Sequence, residues 1–123
     1  DSNEVQSVVT KAVGECDALY IPTDNTIANN TEIVKNVAVP AGIPVVTGEE
    51  GMCSGCGLAT LSISYYDLGV KAAEMAYEIL TNGADPAQMA IGYVTDGITE
   101  KYNADIAEAL NITIPEDMVA IEN

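Results

Sequence analysis

Amphipathic helical patterns and short apolar runs alternate along this chain, and the alternation is the feature that most constrains its fold. Helical patterns cover residues 2–14 and 27–41. Apolar runs follow them at 17–21 and 43–46, each long enough for a buried strand and too short for a helix. Residues 57–64 alternate apolar and small polar side chains with a period of two, which indicates a third strand.

The second half of the chain continues the same alternation. A helical pattern covers 65–80, residues 91–102 contain one or two short strands, and a short helix covers 104–110. Apolar strands separated by helices are typical of a parallel sheet that is covered on both faces. The sequence therefore predicts an α/β fold, with a three-layer parallel sheet.

Composition excludes several classes of partner. The 123 residues suit one compact domain, and a hydrophobic content of 48% argues against disorder. Nineteen acidic residues face four lysines, which gives a net charge of −15. Because the lysines are spread singly along the chain, they cannot form the basic patch that a nucleic acid or an anionic membrane requires.

The chain also lacks residue types that common catalytic sites need. Without His it has no Ser-His-Asp or Cys-His nucleophile and no imidazole metal ligand. Without Arg it has no bidentate clamp for a carboxylate or phosphate. A binding role is favoured over an enzymatic one, and no cofactor is expected. The start at Asp1, in what reads as a helix cap without a signal peptide, predicts a piece of a longer chain.

Two polar loops follow the first two predicted strands. Because ligands of parallel sheets bind outside the carboxyl ends of the strands, these loops are the predicted site. Their candidate ligand contacts are Thr23, Asp24, Asn25, Thr26, Glu49 and Glu50. Carboxylates attract cations, and the start of the following helix attracts anions, so the loops suit a zwitterion. The alternative is that Thr23, Asp24 and Asn25 only cap the helix that follows.

Three acidic side chains at strand ends have a second interpretation. Asp24, Glu49 and Glu50 could hold Mg²⁺ or Ca²⁺ through oxygen ligands, as in a response-regulator receiver domain. A receiver domain also needs a lysine at a later strand end, and none of the four lysines lies at a clear strand terminus.

Tyrosine and cysteine pairs are the remaining candidates. Tyr65 and Tyr66 lie where a strand gives way to a helix, so they could stack on an apolar or aromatic ligand or simply join the core and surface. Cys53 and Cys56 form a single CxxC that lacks the further ligands of a zinc site; a local disulfide and two free thiols are both compatible with it. Cys16 is predicted to be a small buried residue.

Four segments resemble one known family. They are residues 17–26 (DALYIPTDNT), 43–51 (IPVVTGEEG), 57–69 (GLATLSISYYDLG), and the pair 83–86 (GADP) with 112–115 (ITIP). They resemble substrate-binding proteins of ABC importers in the tryptophan/tyrosine uptake group. The resemblance implies a type I periplasmic-binding-protein fold, which is flavodoxin-like in each lobe, and it implies that this chain is the later half only.

The resemblance also implies domain organisation and function. Residues 1–56 and 90–123 resemble the second lobe, and 57–89 resemble the strand and helix that join the first lobe. The implied function is to capture an amino-acid-like ligand, such as an aromatic amino acid, between the lobes and to deliver it to an ABC permease. The residues of the two loops then line the cleft, and Tyr65 and Tyr66 form its hinge-side wall.

The implied location is the extracellular face of the membrane, through a lipid anchor, or the periplasm. The isolated fragment is expected to self-associate through the surface that its other lobe would cover. A ligand-sensing domain of a signalling protein and an Mg-dependent α/β domain remain the alternative functions.

Overall fold

The computed structural model of the chain describes residues 2–122, which divide into two compact units. The first unit comprises residues 2–62 and 99–122, and it contains the whole sheet. The second unit comprises residues 63–98. The predicted assignment of segments to the lobes of a longer protein stays a prediction.

The elements confirm the α/β class. The helices are α1 (Val5–Val13), preceded by a 3-10 turn at Ser2–Glu4, α2 (Asn25–Ala28), α3 (Thr31–Ala38), α4 (Glu50–Cys56), α5 (Tyr65–Asn82) and α6 (Ala104–Leu110). The strands are β1 (Leu19–Ile21), β2 (Val45–Thr47), β3 (Ala59–Ser62), β4 (Thr99–Tyr102) and β5 (Val119–Ala120). None of the helices within residues 2–122 is long and apolar enough to cross a membrane.

The sheet has the order β1-β2-β3-β4-β5, and it is mixed rather than fully parallel. Strands β1, β2 and β3 are parallel, whereas β4 runs antiparallel to β3. The predicted parallel arrangement is confirmed for β1, β2 and β3, whereas β4 and β5, which are parallel to each other, run in the opposite direction. The chain leaves the sheet at Ser62 and re-enters it directly opposite, at Thr99. Side-chain alternation has the same period in both strand directions, so it did not reveal this reversal.

Apolar side chains of the first unit pack in two clusters. In one, Val5, Val34 and Val45 join α1, α3 and β2 in a common core. In the other, α6 packs Ile106 against Leu58, beside the β3–β4 pair. The strand side chains that alternate to the opposite face, Tyr20, Val46 and Leu61, are exposed, so the helix layer predicted for that face stays a prediction.

Three local predictions differ from the structure. The second predicted helix is two helices, because Asn30 interrupts it as the N-cap residue of α3. The loop after β2 is only two residues long, because Glu50 already begins α4. Strand β5 was missed, since it has only two residues and both are exposed.

The second unit is built around the 18-residue helix α5. Ser64 caps its start by accepting a hydrogen bond from the Asp67 backbone N–H at 3.1 Å. Gly83 ends it in the left-handed conformation, with φ +69°, which glycine adopts without strain. The helix was predicted from 65 to 80 and extends two residues further.

Candidate functional site

The loops that follow β1 and β2 lie against each other in the first unit. The Gly48 N–H donates to the Ile21 carbonyl oxygen at 3.0 Å. A Cβ atom on Gly48 would lie 2.7 Å from the Thr23 backbone nitrogen, so only glycine permits this approach. Residues 23–26 and the start of α4 thus share the carboxyl edge of the parallel strands, where the sequence predicts the site.

Asp24 is the N-cap of α2. Its Oδ1 accepts a hydrogen bond from the Ile27 backbone N–H at 2.9 Å. The residue is exposed, as are Thr23, Asn25 and Thr26. Capping therefore occupies one carboxylate oxygen of Asp24 and leaves the group accessible to solvent.

Glu49 is the N-cap residue of α4. Its two carboxylate oxygens accept from the backbone N–H groups of Gly51, at 2.8 Å, and Met52, at 2.5 Å. This N-cap explains why the Gly-Glu-Glu-Gly stretch begins a helix rather than an open loop. Glu49 is half-buried, and its carboxylate is committed to the helix start.

Glu50 points to the sheet instead. Its Oε2 lies 2.7 Å from the Lys101 Nζ on β4 and accepts a hydrogen bond from the Ser62 hydroxyl on β3 at 3.0 Å. The Lys101 ammonium holds the pKa of Glu50 below its usual value, although partial burial acts in the opposite direction. The Ser62 hydroxyl lowers the pKa further.

Lys101 is the contact of Glu50 that the sequence did not predict. It lies inside β4, opposite Thr60 of β3, rather than at a strand terminus. In the sequence, Lys101 stands within Thr99–Tyr102, far from the acidic loop after β2. It comes close to Glu50 only in three dimensions. No spacing rule links Lys101 to Glu50, because they are 51 residues apart.

Buried hydroxyls support this edge of the sheet. The Thr60 hydroxyl donates to the Thr47 carbonyl oxygen at 2.8 Å, and the Thr47 hydroxyl donates to the Glu49 carbonyl oxygen at 3.1 Å. Both threonines and Ser62 are buried. Their bonds fix the strand ends and the start of α4, so the charged groups stand on a rigid support.

The cysteines of the CxxC are free thiols in α4 and are fully buried. In this structure the Cys53 Sγ faces the Gly57 carbonyl oxygen and the Cys56 Sγ faces that of Met52. Burial raises the pKa of each thiol to about 11, so both stay protonated at neutral pH. Such thiols pack the core and are poor nucleophiles.

Cys16 departs from its prediction as a buried residue. It is exposed, in the turn after α1, where its backbone N–H donates to the Ala12 carbonyl oxygen at 3.0 Å. This turn precedes β1, which begins at Leu19, so Cys16 lies outside the strand that suggested its burial.

Tyr65 and Tyr66 open α5 in the second unit and are 59% and 80% exposed. Both rings are therefore available for contact rather than taken up by the core. Their predicted role as a wall of the ligand cleft stays a prediction. Within residues 2–122, no group of three His, Cys, Asp or Glu side chains stands where it could hold a metal ion.

Comparison with known proteins gives a consistent assignment. A sequence profile described as ABC transporter substrate binding protein matches residues 1–122. A curated "Tyrosine-binding protein" of Clostridioides difficile is 44% identical over 79 residues, which are 64% of this chain and 23% of the relative. The matched segment thus covers about a quarter of that relative's length.

Solved structures agree. The L-Trp complex of an ABC domain from Streptococcus pneumonia is 32% identical, with a TM-score of 0.83 over 98% of this chain and 43% of that one. The open, ligand-free substrate binding protein CD0873 of Clostridium difficile is 36% identical, with a TM-score of 0.73 over 100% of this chain and 42% of that one. The chain belongs to the ABC transporter substrate-binding protein family.

Proposed function

We propose that this chain is the later half of a two-lobed solute-binding protein that captures an aromatic amino acid and delivers it to an ABC permease. The observation that carries the proposal is the likeness to the L-Trp-bound structure, with a TM-score of 0.83 at 32% identity. The relative named for tyrosine binding supports the same ligand class. Family membership favours transport over a sensor domain or an Mg-dependent domain.

The proposed contacts are those at the carboxyl edge of the sheet. Asp24 and Glu50 each keep acceptor capacity beyond the bonds described, so they can receive a ligand ammonium. Tyr65 and Tyr66 would lie along the aromatic ring when the lobes close on the ligand. The role is non-enzymatic, since binding and release of an unchanged solute need no reacting group.

The proposed location follows from the family and from the task. Substrate-binding proteins of ABC importers work outside the cytoplasmic membrane, either in the periplasm or tethered by a lipid anchor. We therefore place the full-length protein on that side, next to its permease. Fractionation of cells that express the full-length protein, with detection in membrane and soluble fractions, tests this placement.

A thermal-shift panel tests the function. The full-length protein is heated with each of the twenty amino acids, because a ligand at 100 times its Kd stabilises the folded state by about 2.7 kcal/mol. We expect tyrosine, tryptophan or both to raise the unfolding temperature, and MgCl₂ to leave it unchanged. If MgCl₂ raised the unfolding temperature and no amino acid did, the Mg-dependent domain would be favoured over the solute-binding protein.

We also propose that the isolated 123-residue chain self-associates. Large apolar side chains of the second unit are open to water: Tyr66 is 80% exposed, Leu80 85% and Ile91 77%. Exposed apolar surface of this kind favours association. Light scattering after size-exclusion chromatography should give a mass above 12.8 kDa that rises with concentration, whereas a constant monomer mass would reject the proposal.

A further inference from the structure

The ion pair between Glu50 and Lys101 has unused hydrogen-bonding capacity on both partners. Both described bonds of the Glu50 carboxylate, from Lys101 and Ser62, end on Oε2. Among residues 2–122, Oε1 has no bonding partner, and the Glu50 side chain is 39% exposed. This carboxylate is therefore not saturated, unlike that of Glu49, whose two oxygens both cap α4.

Lys101 has matching free donors. An ammonium carries three N–H groups, and within the described residues one of them is used, on Glu50. Its side chain is 26% exposed, so part of its hydration is already lost while a ligand can still reach it. Water competes less well for the remaining donors of such a group than for those of a fully exposed lysine.

No other cation of the sequence shares this place. The chain has no Arg and no His, Lys11 and Lys35 are exposed on α1 and α3, and Lys71 pairs with Glu74 in the second unit. Any ligand carboxylate that reaches the first unit therefore meets one cation on the sheet, Lys101 on β4. Hydroxyl and backbone donors would otherwise have to hold it.

We propose that the Glu50–Lys101 pair recognises both charges of an amino acid, with the ligand carboxylate on the Lys101 ammonium and the ligand ammonium on the free Oε1 of Glu50. This inference rests on the proposed function and assigns Lys101 to it as a residue that determines specificity. A pair of fixed, adjacent opposite charges matches a zwitterion and repels neither end of it. It selects amino acids over amines and acids that carry one charge.

A purely structural role is the competing explanation. The pair also ties α4 to β4, and loss of a tether would disturb the site without any contact to the ligand. The two roles differ in what they predict for ligands that carry one charge. Loss of a tether weakens every ligand alike, whereas loss of a direct contact weakens only ligands that bear the matching charge.

The test titrates the full-length protein and its Lys101→Gln, Lys101→Arg and Glu50→Gln variants with three ligands. They are L-tyrosine, tyramine, which lacks the carboxylate, and 3-(4-hydroxyphenyl)propionate, which lacks the amine; the analogues are measured by competition. Since a hydrogen bond to a charged group contributes about 1.5–3 kcal/mol, we expect each lost contact to weaken binding about 10- to 150-fold.

Each variant should lose affinity only for the ligands that carry the charge it contacts. Lys101→Gln should weaken tyrosine and the propionate but not tyramine, Glu50→Gln should weaken tyrosine and tyramine but not the propionate, and Lys101→Arg should bind near wild type. Equal losses for all three ligands, an unchanged tyrosine affinity in Lys101→Gln, or failure of both analogues to compete at millimolar concentration would overturn the inference. If Lys101→Gln does not fold, Lys101→Arg and Glu50→Gln decide it. A wild-type protein that binds no amino acid rejects the proposed function itself.

Discussion

The backbone of Gly48 lies against that of Thr23, so that a Cβ atom added at Gly48 would stand 2.7 Å from the Thr23 nitrogen and 2.8 Å from its hydroxyl oxygen. This approach joins the two loops that carry Asp24 and Glu49. It is made of backbone, so a larger residue can be accepted only if one loop moves. The geometry of the proposed site therefore depends on a residue that has no side chain.

Replacing Gly48 by Ala should destabilise the protein and weaken ligand binding together. Overpacking of this kind costs about 1–3 kcal/mol of unfolding free energy. Gly69→Ala in α5 is the matched control, because nothing lies within 4 Å of its added Cβ and alanine favours helix. Urea unfolding followed by circular dichroism measures both. A Gly48→Ala protein as stable as the Gly69→Ala protein would contradict the close approach.

Two substitutions of Asp24 separate its cap role from its ligand role. Asp24→Ala removes the acceptor for the Ile27 N–H and should cost about 0.5–2 kcal/mol of stability. Asp24→Asn keeps a capping oxygen but removes the charge, so its stability should stay near wild type. If Asp24 contacts the ligand ammonium, both variants bind amino acids more weakly. Wild-type affinity for amino acids in Asp24→Asn would show that Asp24 caps α2 and does not contact the ligand ammonium.

Acid should remove the stabilisation that ionised Glu50 provides. Because Lys101 lowers the pKa of Glu50 from its ordinary 4.5, the folded state favours the charged form. The contribution is therefore present above pH 4.5 and is lost as the pH falls through the lowered value in the folded state. The difference in unfolding free energy between wild type and Glu50→Gln should shrink toward acid pH. A difference that is constant or grows there has the wrong sign for this ion pair.

Only one of the three cysteines should react in the native protein. Cys16 is exposed, whereas Cys53 and Cys56 are buried with pKa values raised to about 11. We expect iodoacetamide at neutral pH to label one thiol in the native state and three in denaturant, as counted by intact mass. Two thiols that stay unlabelled in denaturant without reductant, and react after it is added, would show a Cys53–Cys56 disulfide instead.

Sequence patterns predicted the elements whose ends carry local signals. Helix α6 was predicted at its observed bounds, because Asn103 caps its start and the left-handed Asn111 ends it. Strand β5 and the direction of β4 were not predicted. They depend on pairing between distant residues, such as Lys101 with Val119, and the local sequence does not encode such pairing.

The candidate site also has one part that the sequence predicts and one part that it does not. Its loops could be predicted because they follow apolar strands, and the structure confirms that they meet at one edge of the sheet. The contact of Glu50 with Lys101 could not be predicted, since it joins residues 51 positions apart across a reversal of the chain. The exposure of Cys16 was missed because a turn, rather than the strand itself, follows α1.

Isothermal titration of the full-length protein with L-tyrosine and L-tryptophan tests the central claim most directly. We expect saturable binding of at least one of them at one site per protein, and weaker binding in Asp24→Asn and Lys101→Gln. No heat of binding with either ligand, or with any other amino acid, from a folded full-length protein would contradict it.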